Sequence, residues 1–237
     1  MLKNLVQDSN VVDLGLNILA ANDKDAAQLR DLFHSNGVKV LNLISAPGTG
    51  KTELVVRVCQ ELNSRECSVG VVVGDCATEN DAKRISRVCE NAIQIVTQGV
   101  CHLEASMLAN AIKDLDLSSL DVLLVENVGN LVCPSDFDLG EDLKIALLSV
   151  TEGEDKPLKY PDLFSSADLI VVTKMDLVEP CETDMAQIHR NINQINFGVK
   201  VVETSARTGV GIEALCDFLL GANCRNKVGV GQVNSNS

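Results

Sequence analysis

From Ser45 to Thr52 the chain reads Ser-Ala-Pro-Gly-Thr-Gly-Lys-Thr, residue types whose spacing suits the binding of phosphate. Gly48 and Gly50, with Thr49 between them, allow a backbone tight enough for successive N–H groups to point at phosphate oxygens. Lys51 reaches the β- and γ-phosphates of a nucleotide, and the Thr52 hydroxyl can ligate Mg²⁺. Glu53 follows in the first turn of a helical pattern whose N-terminal dipole faces the same anion. An apolar run over residues 38–44 precedes the loop, giving the strand–loop–helix context that phosphate binding requires. Ser45 stands where such motifs usually begin with glycine. A ligand-free glycine turn is the plain alternative, and the flanking elements count against it.

Two further apolar runs end in carboxylates. Residues 121–125 lead into Glu126-Asn-Val-Gly129, the form of a second nucleotide motif: the carboxylate holds Mg²⁺ through water, and the glycine N–H meets the γ-phosphate. Residues 68–73 lead into Gly74-Asp75, a candidate for Mg²⁺ or water activation. Ligands of open parallel sheets bind beyond the carboxyl ends of the strands, where both acids fall. Each alone also fits an exposed acidic loop end. With Lys51 they form a candidate catalytic set of Lys51, Asp75 and Glu126.

The run at residues 169–173 ends in Thr173-Lys174-Met175-Asp176, which resembles the guanine motif of the GTPase superfamily. Asp176 would accept from guanine N1–H and the 2-amino group, while the Lys174 stem covers the base. Adenine would leave that carboxylate facing a lone pair, a mismatch that discriminates by about 10⁴-fold or more. Ser205-Ala206, after the next strand, matches the superfamily's Ser-Ala motif, whose backbone supports guanine O6. These motifs imply GTP and GDP as ligands.

A third group is Cys101-His102 with Cys133, seven residues beyond Glu126. Thiolate and imidazole suit zinc, nickel and copper, and adjacent Cys-His can converge on one ion only in a turn. Two core cysteines and a helix-capping histidine explain the same residues. Three ligands leave the set incomplete, so water or a second subunit would complete it.

These residues need a scaffold. The chain has 237 residues, 46% of them hydrophobic, enough for one α/β domain with a short extension. Strands are expected at 38–44, 68–73, 92–97, 121–126, 143–150, 169–173 and 200–203, with helices at 51–64, 79–91, 103–114, 183–195 and 211–220. Continuous Val/Ile/Leu runs imply a mostly parallel sheet covered by helices on both faces. Residues 1–37 form a helical extension in two segments, with Asp23 capping the second. Residues 38–222 form the nucleotide domain, and 223–237 read as a disordered tail. A formal charge of −13 argues against nucleic acid as partner. No apolar run has the length of a membrane span, and the N-terminus lacks a signal-peptide pattern. Nine scattered cysteines without a CxxC pair then point to reduced thiols in the cytoplasm. Cys59, Cys67, Cys89, Cys181, Cys216 and Cys224 are assigned to packing, and Cys76 is left open.

The stretches Gly74-Asp-Cys-Ala-Thr-Glu-Asn-Asp-Ala-Lys-Arg-Ile, Cys101-His-Leu, Glu126-Asn-Val-Gly-Asn-Leu-Val-Cys-Pro and Thr151-Glu-Gly-Glu-Asp-Lys-Pro-Leu-Lys-Tyr-Pro resemble the nickel-incorporation GTPases of nickel–iron hydrogenase maturation. That resemblance, over roughly residues 38–220, implies a P-loop NTPase domain of the signal-recognition and nitrogenase iron-protein class. It also implies a GTP-promoted homodimer, a nickel or zinc site of Cys101, His102 and Cys133 at the subunit interface, and work with maturation partners and the hydrogenase large subunit. Ser45 matches that family, and Thr173 replaces its commoner Asn. Gln98 stands where the family usually has glycine, an expected change of loop backbone. The N-terminal Cys-x-x-Cys-Gly-Cys segment and histidine-rich stretch of many members are missing. A urease-type nickel GTPase is one alternative, but its Cys-Pro-His motif is absent. The other is a metal-sequestering protein with vestigial hydrolysis.

Overall fold

The computed structural model describes residues 9–75 and 80–221, with side chains for 17–75 and 81–221. Cys76, Cys224 and the tail at 223–237 lie outside the described residues. Seven described strands, β1 (Lys39–Ile44), β2 (Val69–Asp75), β3 (Asn91–Val96), β4 (Val122–Glu126), β5 (Leu143–Ser149), β6 (Leu169–Thr173) and β7 (Lys200–Glu203), form one parallel sheet. Their order is β3-β2-β4-β1-β5-β6-β7. The helices are α1 (Ser9–Asn36), α2 (Lys51–Ser64), α3 (Asn80–Ile85), α4 (Ala105–Ile112), α5 (Cys133–Asp136), α6 (Lys156–Lys159), α7 (Pro161–Ser166), α8 (Met185–Ile195) and α9 (Ile212–Leu220). The fold is that of a P-loop NTPase, α/β with helices on both sheet faces.

Alternation along the strands builds the core. Leu41, Leu43, Val71, Val73 and Leu124 pack with Leu54 and Val58 of α2 and Leu215 and Leu219 of α9. On the other face Val40, Val72, Leu123 and Val125 meet α1 and α4, while Ile44, Ala146, Leu148 and Val172 meet α7 and α8. Asn42 falls in β1 between Val40 and Ile44, on the seam between those two half-cores, and is fully buried. The edge strands β3 and β7 are the least buried, and carry Asn91, Gln94, Lys200 and Glu203 among their apolar residues.

Three expectations are corrected. Asp23 does not cap a helix: α1 runs unbroken from Ser9 to Asn36, and Asp23 lies inside it, where the buried stripe of Asn22, Ala26, Leu29 and Phe33 begins. The helix expected at 79–91 stops at Ile85; Val88 and Cys89 turn back onto the Ile85 carbonyl before β3 begins. Cys181, assigned to packing, is exposed, whereas Cys59, Cys67, Cys89 and Cys216 are buried.

α1 is fastened by polar contacts as well as by its stripe. Arg30 Nη2 bonds both carboxylate oxygens of Asp138 at 2.7 Å. Asn22 donates to the Asp138 carbonyl and accepts from the Ala105 N–H at the start of α4, both at 2.8 Å. Phe33→Ala should cost about 3–5 kcal/mol, since the ring is fully buried and its removal leaves a cavity beneath α1. Urea denaturation checks this, and a loss below about 1 kcal/mol would mean that α1 is not part of the cooperative core.

Candidate nucleotide and metal site

The loop after β1 turns sharply enough to need glycine. Gly48 has φ 78° and Gly50 φ 95°, both in the left-handed region, and Gly50 leads directly into α2. The loop, with Glu53, Asp75, Glu126 and Gly129, lines a cavity of ≈ 430 Å³ at the carboxyl edge of the sheet. Lys51 and Thr52 line it too. The sheet order explains the convergence: β4 lies beside β1 and β2 beside β4, so their terminal acids line the same space.

Electrostatically this cavity is under tension. Burial pushes the Glu126 carboxyl above the usual carboxylate range, against the opposing pull of the Lys51 ammonium and the Thr52 hydrogen bond. Burial likewise lowers Lys51, against the attraction of Glu126, Asp81 and Asp75. Thr52 Oγ1 donates to Glu126 Oε1 at 2.7 Å, while Glu126 Oε2 is buried without a hydrogen-bond partner. An orphaned carboxylate oxygen beside a hydroxyl and a second acid is a donor set that fits a hard cation such as Mg²⁺. Asp81 and Arg84 of α3 also line the cavity, and Arg84 pairs with Glu53. Sequence reasoning missed both; their position just after the β2 carboxylate was the available signal.

A second cavity of ≈ 240 Å³ opens beside the first, lined by Thr49, Gly50, Thr173, Lys174, Asp176 and Ala206. Lys174 takes the left-handed conformation at φ 60°, and its Nζ donates to the Gly48 carbonyl at 2.7 Å. Thr173 Oγ1 donates to the Thr49 carbonyl at 2.8 Å, so β6 and the phosphate loop are tied twice. Ser205 Oγ donates to Asp176 Oδ1 at 2.5 Å and fixes that carboxylate at the cavity wall. Arg57 of α2 holds the Ala206 carbonyl at 2.7 Å. The three sequence-predicted base contacts, Asp176, Ser205 and Ala206, are thus brought together.

Cys101, His102 and Cys133 converge as well: their ligand atoms all lie within 4.8 Å of one another. The Cys101 and Cys133 sulfurs are 2.9 Å apart, a contact that raises the Cys101 thiol. His102 stacks on Phe137 at 3.9 Å between ring centres, and its Nε2, 3.7 Å from Glu104, is buried without a hydrogen-bond partner. Burial lowers His102, favouring the neutral imidazole that metals bind. Phe137 and Glu104 were not found from sequence; aromatic support four residues after Cys133 has no motif. Gln98 keeps the left-handed conformation of a glycine at φ 53°, so its substitution leaves the backbone there in the region a glycine would take. Leu103, next to His102, packs where β2 has Gly74; a Cβ on Gly74 would lie 2.9 Å from the Leu103 side chain.

Residues 39–203 match the model described as the CobW/HypB/UreG nucleotide-binding domain. The hydrogenase maturation factor HypB of Rhizobium leguminosarum bv. viciae is 44% identical over 214 residues, covering 90% of this chain and 71% of its own. That of Escherichia coli strain K12 is 40% identical over 215 residues, covering 90% and 73%. The crystal structure of HypB from Helicobacter pylori in complex with nickel superposes with a TM-score of 0.80 at 36% identity, covering 91% of this chain and all of that one. The signal recognition particle 54 kDa protein of Aeropyrum pernix, 16% identical with a TM-score of 0.56, covers 78% of this chain and 46% of that one and shares the fold alone.

Because Glu126 is raised in the folded state, its protonated form is favoured there, and stability falls as pH climbs from the ordinary carboxylate value to the raised one. Glu126→Gln should remove that slope in nucleotide-free protein. The variant's advantage should grow with pH to about 1–3 kcal/mol, as read by urea melts at acid and neutral pH. Parallel curves for the two proteins would show that Glu126 does not carry the effect.

Proposed function

Since the chain belongs to the HypB hydrogenase-maturation members of the CobW/HypB/UreG nucleotide-binding family, we propose that it is a metal-regulated GTPase that delivers nickel during nickel–iron hydrogenase maturation. The observation that carries this reading is the convergence of Cys101, His102 and Cys133, the last on the segment whose Asn127, Val128 and Gly129 line the nucleotide cavity. Nickel is the cargo of that thiolate–imidazole set, which also suits zinc.

Phosphates lie over the N–H groups from Gly48 to Lys51, and the Lys51 ammonium offsets the charge that shifts onto the leaving β-phosphate. Thr52 and Asp75 would hold Mg²⁺, with Glu126 reaching it through water; bound there, the ion would supply positive charge to the phosphates. Thr52 Oγ1 donates its hydrogen bond to Glu126, which leaves the hydroxyl lone pairs for the cation. Asp75 orients the water that attacks the γ-phosphorus as the bond to the bridging oxygen breaks, giving GDP and phosphate. Gly129 presents its N–H to the γ-phosphate, and Asp176, Ser205 and Ala206 select guanine. A three-ligand metal site gains its missing ligand from water or a second copy. Val132, beside Cys133 and 56% exposed, supplies apolar surface for that GTP-promoted homodimer. Work in the cytoplasm with maturation partners and the hydrogenase large subunit completes the reading.

Asp176→Asn should move selectivity from GTP towards xanthosine triphosphate, because the guanine donors lose their shared acceptor while xanthine offers a carbonyl to the new amide. Competition binding with GTP, ATP and XTP decides it; unchanged GTP preference would place the base elsewhere. Titration of nickel and zinc into the GDP and GTP-analogue states, with oligomer mass recorded, tests the coupling. Affinities should differ by about 5–150-fold, and Cys133→Ala should abolish the metal effect while GTP still binds. Equal affinities in both states would reduce the cluster to thiols beside an ordinary GTPase.

A further inference from the structure

Asn127 directly follows Glu126 and is fully buried. Its carboxamide oxygen accepts from two backbone N–H groups at once, Leu103 at 3.2 Å and Val128 at 2.9 Å. The first sits beside His102, the second beside Gly129. Its amide nitrogen donates to Asn42 Oδ1 at 3.2 Å, and Asn42 Nδ2 in turn donates to Glu141 Oε1 at 3.1 Å. Backbone donors at one end and a carboxyl oxygen at the other leave each carboxamide one orientation that satisfies every partner. A buried polar chain in an apolar seam is costly to break, because each lost partner leaves an unsatisfied group.

We propose that Asn127 is a positioning residue whose shared hydrogen bonds to Leu103 and Val128 make the Cys101–His102 loop follow the loop that meets the γ-phosphate. The inference rests on the nucleotide and metal reading given above and names the link within it. Leu103 is the right place to grip: its side chain is fixed against Gly74, so a pull on its N–H turns the adjoining His102 rather than sliding the whole loop. Val128 cannot shift towards a γ-phosphate without either carrying Leu103 or surrendering the shared acceptor.

The test is amide hydrogen exchange on the full, metal-free chain with GDP and with a non-hydrolysable GTP analogue, followed by metal titration. In the unaltered protein the exchange rates of Leu103 and Val128 should change together between the two nucleotides. In Asn127→Ala the Leu103 response should vanish while Val128 still responds. The ratio of metal affinities in the two nucleotide states should fall to about 1, with each ligand still bound. A Leu103 amide indifferent to the nucleotide in the unaltered protein would overturn the proposal, whether or not the alanine variant folds. So would an alanine variant that keeps the wild-type affinity ratio. Equal metal affinities in the unaltered protein would instead sink the metal switch, while the exchange data would still judge the Asn127 link.

Discussion

A parallel sheet sends all its strand ends to one edge, and in this protein every candidate functional group stands on that edge or one loop beyond it. β1 delivers the glycine loop, β2 delivers Asp75, β4 delivers Glu126, and β6 delivers Asp176. The strand order places β1 between β4 and β5, so chain leaving its end opens into the crevice where the sheet's connections diverge. The helices matter mainly by covering the two faces, so that strands made of Val, Ile and Leu can be buried on both sides. Without those covers the edge would have no fixed geometry to offer.

That edge is held against its own electrostatics. Lys51 and Glu126 are both buried, and each is pushed towards its neutral form by the loss of water. The two attract, but neither is fully satisfied by the other, as the unpartnered Glu126 Oε2 shows. Such an arrangement is preorganised for a ligand that brings both signs: phosphate oxygens for the lysine and a divalent cation for the carboxylate. Because the cavity wall itself carries Glu53, Asp75, Asp81 and Glu126 against Lys51 and Arg84, a polyanion is best received there together with a divalent cation.

Much of this was legible in the residues. Aliphatic runs long enough for strands and too short for helices marked all seven strands, and glycine spacing marked the phosphate loop. The stretches that failed did so for physical reasons. Asp23 reads as a cap, yet an aspartate inside a long helix costs only tenths of a kcal/mol, too little to end α1 there. The segment after β2 has helix-forming residues to position 91, but the chain turns on the Ile85 carbonyl and must be extended from Asn91 to pair with β2, so α3 ends early. Asn42 and Asn127 carry no spacing signal, because a buried amide declares its role only when its partners, 85 residues apart, are seen together. Phe137 and Glu104 flank the His102 ring without belonging to any spacing rule.

The packing of Leu103 into the notch left by Gly74 bears on whether the thiol–imidazole loop is a portable module. Transplanted into a related NTPase, the Cys101–His102 segment would arrive with a side chain that any residue larger than glycine in the host strand would displace. Such a host would display the ligand residues yet aim them wrongly. The heritable unit is therefore a loop together with a gap in a distant strand, and a lineage acquiring one must acquire the other.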